Sequence, residues 1–371
     1  MKISLSWLQQ YLKVDLSTDE LSELLTDIGL EVEGIHKYET IKGGLKGIVI
    51  GKILTVDKHP DADRLNLTTV DVGTEDPLQI VCGAPNVAIG LNVPVATVGT
   101  RLYDGDESFK IKRSKIRGQI SNGMICGPDE IGLGPKTDGI MELPDDAEVG
   151  MAGANYFNIN EDIVFEIGLT PNRSDAMSHI GVARDLKAVL NSRGDDLKMC
   201  MPSIKDFKID NKDLTIDVKI ESESLCPRYS GVSISNITVN ESPDWLKHKL
   251  LSIGINPINN IVDVTNYVLH ETGQPLHAFD TEKILGKEII VKTLSNDTNF
   301  ITLDESNRKL SDNDLMICNA KEPMCIAGVF GGLDSGVTNN TNSIFIESAY
   351  FDPTSIRKTA KYHKLNTDAS F

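Results

Sequence analysis

The sequence between residues 47 and 126 alternates short runs of β-forming residues with clusters of glycine, proline, asparagine and aspartate. Such clusters are typical of turns, so each run between them is a candidate strand. Several short strands within about a hundred residues are typical of a small β-barrel. The predicted strands span residues 47–56, 65–72, 78–82, 93–98 and 124–126.

Helix signals lie on either side of these strands. Ser17 and Glu20 have the spacing of a capping box, and an apolar face follows them until Gly29, which predicts a short helix that ends near this glycine. After the barrel, residues 163–168 have the pattern of a strand and residues 178–190 that of a helix. We interpret this second pair of elements as a connector packed between domains.

A further β segment is expected near Leu214, and Ser242 and Pro243 predict a helix with proline at its first position, ended by Gly254. We expect Trp245 of this helix to be a core or interface residue. A chain of 371 residues is long enough for two or three domains, and the predicted fold class is α+β and multidomain. The predicted parts are an N-terminal helical and β unit that packs with the connector (1–39), the barrel (40–150), the connector (151–204) and a mixed α/β domain (205–371).

The chain is acidic overall but contains one basic run. Its formal net charge of −17 disfavours a protein that coats nucleic acid by bulk electrostatics. Any contact with nucleic acid must therefore be local. Residues 108–128 contain no Asp or Glu, and a cluster of lysines and arginines lies within this stretch. The basic residues are Lys110, Lys112, Arg113, Lys115 and Arg117.

Several classes of protein are disfavoured by what the sequence lacks. No long apolar segment predicts a membrane span, and the first residues do not resemble a signal peptide, so we expect a cytoplasmic protein with no membrane partner. The 6 cysteines are scattered without a C-x-x-C pair, which indicates free thiols and no metal site. No phosphate-binding loop, nucleophile elbow or H-E-x-x-H motif is present.

The basic run belongs to a wider pattern. The segment 59–65 (His-Pro-Asp-Ala-Asp-Arg-Leu), the basic run and the segment 117–124 together resemble the tRNA-binding oligonucleotide-binding (OB) fold of several aminoacyl-tRNA synthetases. Such barrels bind nucleic acid across one face and its loops, where cations meet phosphates. The five basic residues are therefore candidate tRNA contacts. The alternative is that the run is merely a solvated strand or loop, as charge runs usually are.

The rest of the chain resembles one family more specifically. The segments that carry this resemblance are residues 170–175, 254–268, 273–280, 327–332 and 345–351. With the opening residues 3–8, they are similar to the beta chain of bacterial phenylalanine–tRNA ligase over essentially the whole sequence. The chain ends inside a segment that continues in the family, so we interpret it as an N-terminal fragment.

The resemblance implies partners and an activity. It implies an (αβ)₂ enzyme in which the alpha subunit performs ATP- and magnesium-dependent aminoacylation of tRNA(Phe), with no cofactor bound in this fragment and no DNA partner. It also implies that residues 205–371 form an editing domain that hydrolyses tyrosyl-tRNA(Phe). The alternative is a non-catalytic tRNA-binding or assembly module with a silent pocket.

The same resemblance implies roles for individual residues. Glu347 would accept the hydrogen of the tyrosine phenol, and the Gly328 N–H would donate to the same oxygen. Ester hydrolysis needs a positioned water and stabilisation of charge at the carbonyl, for which the polar candidates are His277, Thr265 and Asn266. Whether His277 acts as a base or positions the water is open, and taken alone it would be a structural histidine. The pocket wall would be formed by Pro275, Ala327 and Ala349.

Overall fold

The structure is a computed structural model that describes residues 1–105, 107–367 and 370. The strands, in chain order, are β1 (Lys2–Ser4), β2 (Glu31–Glu39), β3 (Ile48–Lys58), β4 (Asn66–Asp71), β5 (Leu78–Cys82), β6 (Asn92–Thr97), β7 (Arg101–Asp104), β8 (Glu107–Lys110), β9 (Ser114–Ile116), β10 (Gln119–Ser121), β11 (Gly123–Ile125), β12 (Glu161–Gly168), β13 (Asp217–Ile220), β14 (Arg228–Ser235), β15 (His277–Asp280), β16 (Glu288–Thr293), β17 (Asn299–Ile301), β18 (Asn307–Lys309), β19 (Leu315–Cys318), β20 (Pro323–Ile326), β21 (Phe330–Gly331) and β22 (Ser343–Tyr350). The α-helices are α1 (Leu5–Leu8), α2 (Thr18–Asp27), α3 (Gly153–Tyr156), α4 (His179–Ser192), α5 (Asp244–Ser252), α6 (Asn260–Thr272) and α7 (Pro353–His363).

The described chain divides into two compact units. One unit is continuous, from Lys37 to Asp162, and the other combines Met1–His36 with Ile163–Phe371. The continuous unit is thus an insertion between two parts of the other unit. The predicted division into four parts is finer than this and remains a prediction.

The inserted unit is built on a nearly closed antiparallel sheet. Its five strands have the order β11-β6-β3-β4-β5. The two edges approach each other, because the Asn122 N–H, just before β11, donates to the carbonyl of Gln79 on β5 at 2.8 Å. Apolar residues of alternate strand positions fill the interior, among them Val70, Ile80 and Val95.

The N-terminal part of the other unit follows the helix signals. The capping box of Ser17 and Glu20 is present, and α2 ends before Gly29, which has φ +84°. Strand β12 lies between β1 and β2 in a three-stranded sheet. Trp7, fully buried, packs in one hydrophobic core with residues of β12 and α4.

The rest of this unit contains two larger sheets. One has the order β13-β16-β19-β20-β21, with β13 and β16 parallel and the other pairs antiparallel. The other is antiparallel with the order β14-β22-β15, so β22 is its central strand. Their shared core includes Phe279, Phe345 and Met324. The central position of β22 places its side chains between those of two neighbouring strands.

Two predictions in the α5 region are corrected by the structure. Pro243 is the N-cap of α5 rather than its first residue, because its ψ of 151° is extended while its carbonyl already accepts the Leu246 N–H at 3.0 Å. The fixed φ of proline suits either position. Of the two roles predicted for Trp245, the core role is wrong, since the residue is 54% exposed and contacts Tyr267 edge-on at 5.5 Å between ring centroids. The interface role stays a prediction.

Candidate functional site

Glu347 lies in the middle of a row of three residues that crosses the β14-β22-β15 sheet. Its direct partners are Gly231 on β14 and His277 on β15. Directly paired residues of neighbouring strands point to the same face of a sheet. The structure therefore brings together the carboxylate and the imidazole that the sequence analysis singled out.

The Glu347 carboxylate is buried inside this face. The residue is 6% exposed, and its Oε2 accepts a hydrogen bond from the Tyr229 hydroxyl at 2.6 Å. Burial raises the pKa of Glu347 to about 7, and the hydrogen bond from Tyr229 opposes that rise. At neutral pH, protonated and ionised forms of this carboxyl group therefore coexist.

The His277 imidazole is held beside the carboxylate without a charge. Its Nε2 is buried and has no hydrogen-bond partner among the described residues. Burial lowers the pKa of His277 to about 4, so the ring is neutral at physiological pH. Phe279 supports the ring edge-on, with 4.4 Å between centroids. A buried polar atom without a partner is costly, which is a reason to expect a ligand or water there.

Two glycines lie close to rings on this face of the sheet. A β-carbon at Gly331 on β21 would lie 3.4 Å from His277 Cε1 and 3.9 Å from Nε2, so β21 passes close to the imidazole edge. A β-carbon at Gly231 would lie 2.0 Å from Cζ of Phe345, so the Phe345 ring occupies the space that a side chain at 231 would need. Gly231 is thus required by the close approach of a neighbouring ring, whereas a β-carbon at Gly331 would make only ordinary van der Waals contacts.

Thr265 and Asn266 lie on α6, which leads into the strand of His277. Asn259 caps this helix through its side-chain oxygen, and Gly273, with φ +82°, ends it. Thr265 is buried, and its hydroxyl donates to the Val262 carbonyl at 2.7 Å. Its hydroxyl oxygen thus remains an acceptor, while the amide of half-buried Asn266 can both donate and accept.

Pro275 and Ala349 are connected by a residue that the sequence analysis did not single out. The Gln274 side-chain amide donates to the carbonyl of Pro275 at 3.0 Å and to that of Ala349 at 3.1 Å. Both wall residues are half-buried. Gln274 therefore fixes the loop after α6 against the end of the central strand β22.

Ala327 and Gly328 form the turn that follows β20. Ala327 is buried in the core, and Gly328 has φ +64°. A β-carbon at Gly328 would lie 3.0 Å from Phe351 and 3.1 Å from Ile356. The missing side chain thus makes room for these two apolar residues in addition to permitting the left-handed turn.

The basic run forms one edge of the inserted unit. All five of its residues are exposed, and they lie between the end of β8 and the start of β10. The His59 loop contacts this run: His59 Nε2 lies 3.2 Å from the Ile116 carbonyl, and Nδ1 accepts the Asp61 N–H at 3.1 Å. Since Nδ1 is an acceptor, Nε2 carries the proton and donates. The two segments coupled in the sequence analysis are therefore neighbours.

Three residues of the site have no individual signal in the sequence. Tyr229, Gln274 and Gly331 become visible only through strand pairing and loop closure. Tyr229 is separated from Glu347 by more than a hundred positions, and one tyrosine in a β segment indicates no function by itself. Gln274 and Gly331 do lie within the segments that carry the family resemblance.

The described residues show neither a metal site nor a membrane-spanning helix. They contain no group of three or more His, Cys, Asp or Glu side chains arranged to hold a metal ion. They therefore do not fit a resident magnesium site. Within the same residues, no helix combines the length and the apolar character needed to cross a bilayer.

Two family models match the chain, and their positions follow the architecture. Residues 48–152 match the "Putative tRNA binding domain", which covers the barrel and its basic edge. Residues 225–371 match the "B3/4 domain", which covers the sheet with Glu347 and His277. The chain is therefore a protein that combines a tRNA-binding type of domain with a B3/4 domain.

Similar proteins define the family more closely. The chain is 57% identical over 371 residues to the phenylalanine–tRNA ligase beta subunit of Bacteroides thetaiotaomicron, and 40% identical over 377 residues to that of Bacillus cereus. Each alignment covers 100% of this chain and 45% of the relative. The chain belongs to the phenylalanine–tRNA ligase beta-subunit family and spans a little less than half the length of these relatives.

Among solved structures, an N-terminal fragment of the phenylalanyl-tRNA synthetase beta subunit of Pyrococcus horikoshii is similar to the chain. The sequence identity is 14% and the TM-score is 0.30, with 55% of this chain and 61% of that chain covered. Membership of the family rests on the sequence relatives alone.

Proposed function

We propose that this chain is the part of a phenylalanine–tRNA ligase beta subunit that binds tRNA(Phe) and hydrolyses tyrosyl-tRNA(Phe). The observation that carries the proposal is the buried row in which Glu347 lies directly opposite His277, whose Nε2 lacks a partner among the described residues. The larger enzyme would act in the cytoplasm as an (αβ)₂ assembly. Its alpha subunit would use ATP and magnesium to charge the tRNA.

The acid in this row gives a basis for selecting tyrosine. A phenol hydroxyl can donate to the Glu347 carboxylate, whereas phenylalanine leaves the buried group without that bond. Sites built to bind a hydroxyl can reject the analogue that lacks it by on the order of 10⁴-fold, as measured in another enzyme. An editing site of this kind would remove the tyrosyl ester and spare the phenylalanyl ester.

The neutral imidazole suits the hydrolytic step. A water attacks the ester carbonyl, the bond to the ribose oxygen breaks, and that oxygen takes up the proton. With a pKa of about 4, His277 is a weak base, so positioning the water through Nε2 is the role that its environment favours. Thr265 and Asn266 would assist at the carbonyl.

The tRNA would be bound through the basic edge of the inserted unit. The exposed Lys110, Lys112, Arg113, Lys115 and Arg117 supply cations for phosphates on an otherwise acidic chain. This part of the proposal is supported by the match of residues 48–152 to a tRNA-binding family.

A silent pocket is the second candidate function. The observation in its favour is the hydrogen bond from Tyr229, which gives the buried Glu347 a partner within the chain. In that case the acid would be structural, and the chain would serve in tRNA binding or assembly.

Hydrolysis by alanine variants separates the two candidates. We expect the complete enzyme to deacylate tyrosyl-tRNA(Phe), His277→Ala to slow this reaction about a hundredfold, and Glu347→Ala to lose the preference for tyrosine over phenylalanine. Gly336→Ala is the matched control, since a β-carbon there meets nothing within 4 Å. Unchanged hydrolysis in both alanine variants would contradict the editing proposal.

A further inference from the structure

The partner of Glu347 within the chain lies on the same face of the sheet as the proposed pocket. Tyr229 pairs with Ala349 on β22, and it therefore points to the face that also carries Glu347. Its hydroxyl donates to Glu347 Oε2 at 2.6 Å, while its ring packs against the core of Phe279 and Phe345. The ring is thus fixed, and with it the direction of the hydrogen bond.

Apart from Tyr229, no titratable group described around Glu347 stabilises its ionised form. The titratable groups around it are His277 on β15, which is neutral, and the thiols of Cys226 and Cys325, whose pKa values are raised by burial. Burial favours the neutral carboxyl, and the hydrogen bond from Tyr229 favours the carboxylate. Of the described groups, the Tyr229 hydroxyl is the one that lowers the pKa of Glu347.

We propose that Tyr229 is a specificity-determining residue of the editing site, because its hydroxyl holds Glu347 as an oriented carboxylate that can accept a second phenol, that of the substrate. This inference rests on the proposed function. A carboxylate has acceptor sites on both oxygens, so a bond from Tyr229 to Oε2 leaves capacity for the incoming hydroxyl. Tyr229 would act through Glu347 and is a positioning residue.

The test is Tyr229→Phe in the complete enzyme, with hydrolysis of tyrosyl-tRNA(Phe) and phenylalanyl-tRNA(Phe) measured from about pH 6 to about pH 9 after subtraction of the uncatalysed reaction. The substitution keeps the ring and removes the hydroxyl. We expect the preference for tyrosine to fall by about tenfold or more near neutral pH, since a hydrogen bond to a charged group is lost. The preference should recover as the pH rises and Glu347 ionises.

A matched control and a second readout keep the result specific. Tyr350→Phe removes an exposed hydroxyl from the same strand as Glu347 and should leave the preference unchanged. Carbon-13 NMR of the Glu347 carboxyl should show a higher pKa in Tyr229→Phe than in the unsubstituted chain. A merely structural role for Tyr229 would lower both hydrolytic rates together without moving the pH profile.

The outcomes are distinguishable. If the unsubstituted enzyme hydrolyses tyrosyl-tRNA(Phe) and Tyr229→Phe keeps both the preference and its pH profile, the role of Tyr229 is overturned and the editing proposal stands. If the unsubstituted enzyme does not hydrolyse tyrosyl-tRNA(Phe), the proposed function and this inference both fail.

Discussion

Glu347 and His277 are neighbouring residues whose pKa values are shifted in opposite directions by the same cause. Burial disfavours the charged form of each group, so the carboxyl pKa rises to about 7 and the imidazole pKa falls to about 4. Both groups are therefore mostly or partly neutral at the pH where a tRNA ester would be hydrolysed. At neutral pH this face therefore holds a partly ionised carboxyl group beside a neutral imidazole.

The raised pKa of Glu347 predicts that the free energy of unfolding of the chain depends on pH. The pKa of Glu347 is raised from 4.5 in the unfolded chain to about 7 in the folded chain. The contribution of this group to the free energy of unfolding is therefore fully present below pH 4.5 and is lost as pH rises through 7. Glu347→Gln removes this loss. We expect the free energy of unfolding of the variant, relative to the unsubstituted chain, to increase by about 3 kcal/mol between about pH 4.5 and about pH 8.

Denaturant unfolding at a series of pH values measures this difference. Glu223→Gln, at an exposed position of the same unit, is the control and should show no such trend. His277 acts in the other direction, because its contribution is present above pH 6.5 and is lost as pH falls through 4. A constant difference between Glu347→Gln and the unsubstituted chain would show that the carboxyl is not perturbed.

At the level of residues, the sequence indicated which side chains to consider as a site but not how they are arranged. Glu347 and His277 could be selected through the family resemblance, but their direct pairing depends on the register of β15 against β22. Register is set by contacts between distant segments, which a local pattern does not encode. For the same reason Tyr229 could not be predicted, since it reaches Glu347 only because β14 pairs with the other edge of β22.

At the level of elements, the longer strands of the barrel follow the sequence pattern closely. The run predicted at residues 78–82 is β5, and the run predicted at 93–98 is β6, displaced by one position. The short strands β7 to β10 were not predicted. Their residues are mostly polar and mostly exposed, so they lack the apolar alternation that marks a half-buried strand.

The basic edge formed by these short strands predicts salt-dependent binding. We expect the double charge reversal Lys112→Glu and Lys115→Glu to weaken tRNA binding. The slope of log affinity against log salt should become shallower by about 1 to 2, because each lost phosphate contact means that fewer counterions are released on binding. Filter binding over a series of salt concentrations measures both quantities.

The matched control reverses two lysines outside the basic run in the same unit. Lys52 and Lys136 are also exposed, so their reversal changes the net charge by the same amount. We expect this control to reduce affinity less and to keep the slope. Equal effects of the two double variants would mean that the basic edge is not a local tRNA contact.

At the level of the whole molecule, the chain consists of one compact unit inserted into another. From changes in pattern along the chain we predicted four consecutive parts, the first of which (1–39) packs with the connector (151–204). The core that contains Trp7 also contains Phe165 and Leu186, which lie far away in sequence. This core joins residues of the predicted first part to residues of the predicted connector. The pattern along the chain did not indicate that both belong to one compact unit with the segment that follows the connector.

The insertion predicts that residues 37–162 fold alone. Their ends are held together by the ion pair between Lys37 and Glu161, at 2.9 Å, and by the Thr40 N–H, which donates to the Asn160 carbonyl at 3.0 Å. We expect the excised unit to unfold cooperatively on heating and to retain the salt-dependent part of tRNA binding. A non-cooperative transition monitored by circular dichroism would contradict this independence.

The central claim is that Glu347 recognises the phenol hydroxyl of a wrongly attached tyrosine. The most direct measurement is calorimetric binding of two non-hydrolysable analogues, tyrosine and phenylalanine each joined to the ribose of adenosine by an amide. We expect the unsubstituted enzyme to bind the tyrosine analogue more tightly by about tenfold or more, and Glu347→Ala to remove this difference. Equal binding of both analogues by the unsubstituted enzyme, or a preference that survives Glu347→Ala, would contradict the claim.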